Sequence, residues 1–310
     1  MKQISIITIN YNNASGLEKT IRSVVEQTYN EYEYIIIDGA SSDKSKEVIQ
    51  EYQRYIDFWC SEKDSGIYNA MNKGIQKASG EYLLFLNSGD VLNNSAVLAD
   101  IHGFLSGEDI VYGDLVFVRG DGEETVFIYP DILTVDYFLE RSLGHPATFI
   151  KRELFRNCLY TESLKIVSDW EFFVKKIILE GCSYRHVKRT ISNFDTSGVS
   201  SLSAKECNRE RELVLKQLFS PVLREYFQEA LKGNRVLSAP LESVIAGKTR
   251  VIIAVPIYDQ QKEIVGVIGG SYDIGDLNKI VFRGIYDGKG SALLVSKEGQ
   301  LITYDNAVKN

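Results

Sequence analysis

At 310 residues the chain is long for one average domain and suits two. A formal net charge of -7 argues against a general nucleic-acid binder, leaving only local basic patches, and 25% charged with 44% hydrophobic residues are values of a soluble globular protein. No apolar run approaches the roughly eighteen residues of a membrane span, and the opening "MKQISIITINYNN" enters a strand without the layout of a signal peptide, so a cytoplasmic location is expected. Cys60, Cys158, Cys182 and Cys207 are widely separated and have no metal-ligand spacing, which predicts reduced, mostly buried thiols.

Along the first half, strand and helix periods alternate. "ISIITI" predicts a strand, and "GLEKTIRSVVEQT", with Leu17, Ile21, Val24 and Val25 at helical spacing, predicts a helix. "EYIIID" is a second buried strand, "SDKSKEVIQEYQRYI" a helix with a Ser/Asp start, and "YLLFL" another strand. Such alternation implies a doubly wound, mainly parallel sheet, in which ligands bind beyond the carboxyl ends of the strands. The segments following those strands are "NYNNASG", "DGASSD" and "NSGD". All are polar and fall on one edge.

That edge gathers Asp38, Asp43, Asp64 and Asp90, with Tyr11 beside them. Crowded carboxylates are costly unless neutralised, and a magnesium or manganese ion shared with ligand phosphates would do so. Asp38 and Asp43 also fit the simpler role of capping the next helix, and for Asp43 capping is the favoured reading. Asp90 lies between two apolar runs, after Gly89, and is favoured as a ligand contact.

"SIITINYNNASGLEKTIRSVVEQTYNEYEYIIIDGASSD", "DSGIYNAMNKGIQKASGEYLLFLNSGD", "YGD", "HPATFIKRELF" and "VSDWEFF" occur in that order. Together they resemble glycosyltransferase family 2, with the GT-A fold, and most closely its bacterial branch that builds surface polysaccharides. The resemblance covers roughly residues 1 to 220. It implies that Tyr11 packs on the nucleotide base, that Asp38 and Asp64 line the nucleoside pocket, and that Asp90, last in a DxD-like motif, ligates the metal at the diphosphate. It further implies that Asp169 is the general base. Gly39 and Gly89 stand where relatives often carry an additional acid, so contacts to base and ribose are expected to differ.

Sugar transfer from a nucleoside diphosphate, here most readily a UDP-sugar, needs stabilisation of the leaving diphosphate and one base for the incoming hydroxyl. A single base without a nucleophilic carboxylate implies inversion at the anomeric carbon. The acceptor implied is a saccharide or a lipid-linked saccharide. Spacing alone leaves Asp169 open between base and helix cap, and Trp170 between an acceptor-stacking ring and a core residue. His145 fits either a structural hydrogen-bonder or a group on the metal or acceptor side. His102 reads as a partly exposed helix residue. His186 lies in the basic cluster "YRHVKRT", a solvated surface that also suits peripheral attachment to anionic headgroups at the inner face of a membrane.

The character changes at "KGNR", dividing a transferase domain, 1–232, from a segment, 233–310, of strands and Gly turns that predicts a small antiparallel sheet within an α+β segment. "PIYDQQKEIVGVIGGSYDIGDL" and "GSALLVSKEGQLITYD" resemble part of the Cache superfamily of sensor domains. That resemblance implies a ligand contact at Asp273, which equally reads as a turn residue. Natural fusion, intracellular use or a joining of two proteins would each account for the pairing. Two other functions compete with a transferase: a small-molecule binding module in the C-terminal segment, and a sugar-nucleotide-binding protein that has lost catalysis.

Overall fold

The computed structural model describes residues 2–196 and 204–218 and, with gaps, 226–304. The first strand, β1 (Ile4–Asn10), is buried at every position and runs parallel to β2 (Tyr32–Asp38) on one side and β4 (Tyr82–Phe85) on the other. The strand β3 (Phe58–Ser61) extends this parallel set beyond β2. On the far side of β4 the sheet becomes mixed. There β8 (Thr148–Lys151) is antiparallel to β4, β6 (Ile110–Val118) is antiparallel to β8, and β9 (Tyr184–Asp195) is parallel to β6. The short β5 (Val91–Leu92) closes the order β3-β2-β1-β4-β8-β6-β9-β5, and β7 (Glu124–Phe127) pairs with β6 in this nine-stranded sheet. The expected α/β class holds; the antiparallel flank is the part that strand and helix periods did not reveal.

Helices cover the sheet where their apolar stripes dictate. In α1 (Ala14–Val25), Leu17, Ile21 and Val24 are buried, and the Asn13 side chain caps the start by accepting from the Gly16 N–H at 3.1 Å. The short α2 (Ser45–Glu51) follows β2. In α3 (Ile67–Lys77), Tyr68, Met71 and Ile75 are buried, and the helix packs on β1 and β2; the short α4 (Val97–Ile101) and α5 (Val135–Glu140) come later in the chain. A Cβ at Gly74 would lie 2.4 Å from the Ile7 side chain, so glycine is what lets helix and sheet approach so closely. With strand interiors committed to the core, the polar residues at their carboxyl ends are left facing the crevice.

The chain forms two compact units, Met1–Val214 and Leu215–Asn310. Their division falls inside α7 (Ala204–Leu218), earlier than the change of composition at 232/233. The reason is packing: Glu210 and Val214 on this helix are buried. In the second unit β10 (Val236–Leu237), β11 (Leu241–Glu242), β12 (Thr249–Tyr258) and β13 (Ile264–Asp273) form the expected antiparallel sheet. The strands β14 (Leu293–Val295) and β15 (Leu301–Tyr304) pair with each other. Asp273 ends β13 in register with Arg250.

Two sequence expectations change in detail, for the cysteines and for His186. The four thiols are free, but each is half-buried rather than deeply buried. His102 is exposed as expected and stacks on Tyr29 at 4.7 Å. His186, expected on a solvated basic surface, has a side chain only 2% exposed. Pairing of β9 with β6 sets it in register with Tyr112, on which its ring stacks at 5.1 Å, between Asp114 at 2.9 Å and Asp131 at 2.6 Å. Its basic neighbours are engaged as well, Arg185 with Glu108 and Lys188 with Asp131. Among the described residues no helix is long and apolar enough to cross a membrane.

Candidate active site

A cavity of about 900 Å³ opens beyond the carboxyl ends of β1 and β4, and its lining includes Tyr11, Asp64, Asp90, His145 and Asp169. Five residues named from sequence thus meet in one crevice. Tyr11 is 68% exposed, an aromatic face available to a planar ligand.

Asp90 is held by the turn that ends β4. Gly89 takes φ 110°, its N–H donates to the Thr20 hydroxyl at 3.0 Å, and that hydroxyl in turn lies 2.7 Å from the Asp90 carbonyl. The Asp90 side chain is 3% exposed and accepts from the Asp195 N–H at 3.1 Å. Burial pushes its carboxyl up to about 7; nearby Asp195 adds to this, while His145 and backbone donors partly offset it. A hard divalent cation shared with a diphosphate needs only one or two protein carboxylates, which suits Asp90 with Asp195 near it. Among the described residues no group of three or more His, Cys, Asp or Glu is arranged to hold a metal unaided, so ligand oxygens would have to complete such a site.

Asp169 lies in the first turn of α6 (Ser168–Phe173), on the other side of the crevice. The capping position belongs to Val167, which offers no side-chain acceptor. The Asp169 carboxylate instead meets His145 Nδ1 at 3.3 Å through Oδ2 and the Tyr68 hydroxyl at 2.9 Å through Oδ1. Burial alone would raise its pKa, but hydrogen bonds from His145, Tyr68 and the Trp170 N–H hold it below the usual carboxylate value. Glu210 on α7 accepts the N–H groups of Lys165 and Ile166 at 2.8 and 3.0 Å, fixing the segment that leads into α6.

Trp170 must be corrected. Its ring is 2% exposed, its Nε1 donates to the Phe138 carbonyl at 2.7 Å, and Arg211 lies 5.1 Å over it, so it is a core residue with no face for an acceptor sugar. Asp38 is fully buried beneath the crevice rather than lining it. It accepts from Asn10 at 2.7 Å, from the Ser41 hydroxyl at 2.6 Å and from Ser61 at 2.5 Å, which outweigh burial and lower its pKa. Its position orders the loops that do line the pocket. Asp43 stands one residue ahead of Lys44, the N-cap of α2, and accepts from the Ser45 N–H and hydroxyl and from the Ala14 N–H of α1, so it tethers the starts of both helices.

The two glycines where the resemblance implies acids each have a carboxylate close by. A Cβ at Gly39 would lie 2.6 Å from Asp64 Oδ2, and one at Gly89 would lie 3.1 Å from Asp195 Oδ2. Carboxylates from other segments therefore occupy the space beside both glycines. Sequence reading missed Asp195 because "NFD" at the end of β9 is remote from every motif. Tyr68 was visible inside "DSGIYNAMNKG" yet had no spacing signal tying it to Asp169.

Strand order and crevice together are those of the GT-A fold. Fragment 1-349 of S. aureus TarS in complex with UDP-GlcNAc has this fold, with a TM-score of 0.59 at 18% identity over 70% of this chain and 67% of that one. A mannosyltransferase from Pyrobaculum calidifontis, solved with GDP-Man and Mn2+, gives a TM-score of 0.51 at 18% identity over 72% of this chain and 64% of its own. The sequence model described as Glycosyl transferase family 2 matches residues 5–157. An uncharacterized glycosyltransferase of Mycobacterium tuberculosis is 31% identical over 207 residues, 64% of this chain and 77% of that protein. The chain belongs to glycosyltransferase family 2.

Proposed function

We propose that the enzyme is an inverting, metal-dependent glycosyltransferase that moves a sugar from a nucleoside diphosphate, preferentially UDP, to a saccharide or lipid-linked saccharide of a surface polysaccharide. The observation that carries this reading is the meeting of Asp90 and Asp169 in one crevice, on a strand end and a helix start. Asp169 takes the proton of the acceptor hydroxyl as that oxygen bonds the anomeric carbon, and the bond to the diphosphate breaks with its electron pair leaving on the diphosphate. A bound Mn2+ or Mg2+, held through Asp90, would supply Lewis-acid stabilisation of the leaving group. The low pKa of Asp169 keeps it ionised at neutral pH. The test is a panel of UDP- and GDP-sugars with manganese, read by calorimetry and by the anomeric configuration of the product; a retained configuration would sink the inverting mechanism.

Tyr11, Asp64 and the loop ordered by Asp38 form the nucleoside side of this reading. Because Asp64 fills the space at Gly39, Gly39→Asp is expected to raise the donor KM about tenfold with turnover within a few fold. An unchanged KM in donor titrations would remove Asp64 from the nucleoside pocket. The carboxylates beside Gly39 and Gly89 also favour an active enzyme over a sugar-nucleotide binder that has lost catalysis.

The enzyme is read as cytoplasmic, meeting a lipid-linked acceptor peripherally at the inner face of the membrane. Arg185 and Lys188 are paired with acids, so vesicle co-sedimentation is expected to weaken little in Lys188→Ala. For residues 233–310 the Cache-like reading rests on two motif segments and an antiparallel sheet, with Asp273 opposite Arg250. A chain ending at Lys232 keeps α7 and all residues assigned to chemistry, and its transfer rate is expected within a few fold of the full chain. If it is folded by circular dichroism yet inactive, the two-domain division of labour fails.

A further inference from the structure

His145 touches both halves of the crevice at once. It begins a single 3-10 turn, His145–Ala147, that leads into β8, and pairing of β8 with β4 brings that turn alongside Asn87 at the end of β4. Its side chain is 14% exposed, with Nδ1 3.3 Å from Asp169 Oδ2 and Nε2 3.0 Å from Asn87 Nδ2. The backbone around it is pinned on both sides. The Gly144 N–H donates to the Tyr129 hydroxyl at 2.9 Å, and the Pro146 carbonyl accepts from Ser192 at 2.7 Å.

The protons can be assigned from the partners. An ionised carboxylate only accepts, so the nitrogen facing it must carry hydrogen, which puts the proton on Nδ1. The Asn87 amide nitrogen only donates, so Nε2 accepts from it. Reversing that amide, whose buried Oδ1 is otherwise without a partner, would add a proton at Nε2 and leave Nδ1–H in place.

We propose that His145 is the positioning residue of the base. Its Nδ1–H holds Oδ2 of Asp169, while the Tyr68 hydroxyl meets Oδ1 at 2.9 Å but shares its one proton with the Ile166 carbonyl at 2.6 Å, so His145 supplies the hold that keeps the carboxylate turned toward the acceptor hydroxyl. Its Nε2 ties the same base to Asn87, three residues before Asp90, and so couples base alignment to the loop that grips the donor. The proposal rests on Asp169 being the base and adds that its geometry is imposed by one imidazole.

Two measurements on the full chain test it. The first is long-range proton–nitrogen NMR of 15N-histidine protein, in which the three imidazoles are assigned by single substitution. His145 is expected to show a protonated, hydrogen-bonded Nδ1 whose proton resonance shifts in Asp169→Asn; an unprotonated Nδ1 overturns the proposal. The second is nucleoside diphosphate release from UDP- and GDP-sugars with Mn2+ and acceptor. His145→Ala is expected to lower kcat about tenfold or more with donor KM within about threefold. His145→Asn, whose amide can reproduce the Nδ1 donor, is expected to recover most of that loss, and His145→Gln is not. In the double variant with Asp169→Asn the losses should not multiply. A raised donor KM at unchanged kcat in His145→Ala would make His145 a donor-gripping residue and overturn the proposal. If His145→Ala does not fold, equal turnover of the Asn and Gln variants does the same. Near-normal turnover in Asp169→Asn would instead sink the assignment of the base, while the NMR result still reports on the His145 contact.

Discussion

Asp169→Asn is expected to lower turnover by about a hundredfold or more while leaving donor affinity nearly unchanged, because a base contributes where the proton moves. The carboxylate does not occupy the capping position of α6, so the amide should not cost the helix its start. The amide keeps one acceptor oxygen, so it can accept from Tyr68 or from His145 and turns its NH2 toward the other, loosening the hold on the side chain without touching the helix start. Steady-state kinetics beside calorimetric donor titration separates the two effects, and near-normal turnover would return Asp169 to a structural role. The depressed pKa also fixes a sign. A carboxyl lowered in the fold stabilises it above the unfolded value, and that contribution is lost as pH falls through the folded value. Loss of ionised Asp169 should therefore appear only at pH values below the ordinary carboxylate range.

Asp90→Asn is expected to abolish manganese-dependent donor binding and, without metal, to raise the thermal midpoint at pH 8 by on the order of 5 °C. Both effects come from one cause. Burial raises the carboxyl to about 7, so the ionised form is disfavoured in the fold. The sign runs opposite to Asp169: this stability contribution is present below the unfolded value and is lost as pH rises through about 7. A cation beside the carboxylate would reverse the penalty, so manganese affinity should climb between about pH 5 and 7 and flatten above. Calorimetry with and without manganese across that range checks it; unchanged manganese dependence in Asp90→Asn would sink the assignment.

Much of this protein could be read from residue order. Apolar strands such as "ISIITI", alternating with helical periods, dictate a mainly parallel sheet, because only that arrangement buries both faces of each strand. It follows that the polar ends, with Asp90 after β4, share one edge. Five motifs in order carried the family. What sequence could not supply was anything decided between distant segments. Whether Trp170 faced sugar or core depended on the Phe138 carbonyl and on Arg211, contributed from elsewhere in the chain. His186 sat among cations in sequence, yet strand pairing set it between two aspartates. Beside Gly39 and Gly89 stand the carboxylates of Asp64 and Asp195, brought there from other segments. Local periodicity records which face a residue turns, and that is a property of its own segment. The partner on that face is fixed only when sheet register and helix packing bring remote segments together, and the contact of Asp169 with His145 and Tyr68 is of that second kind.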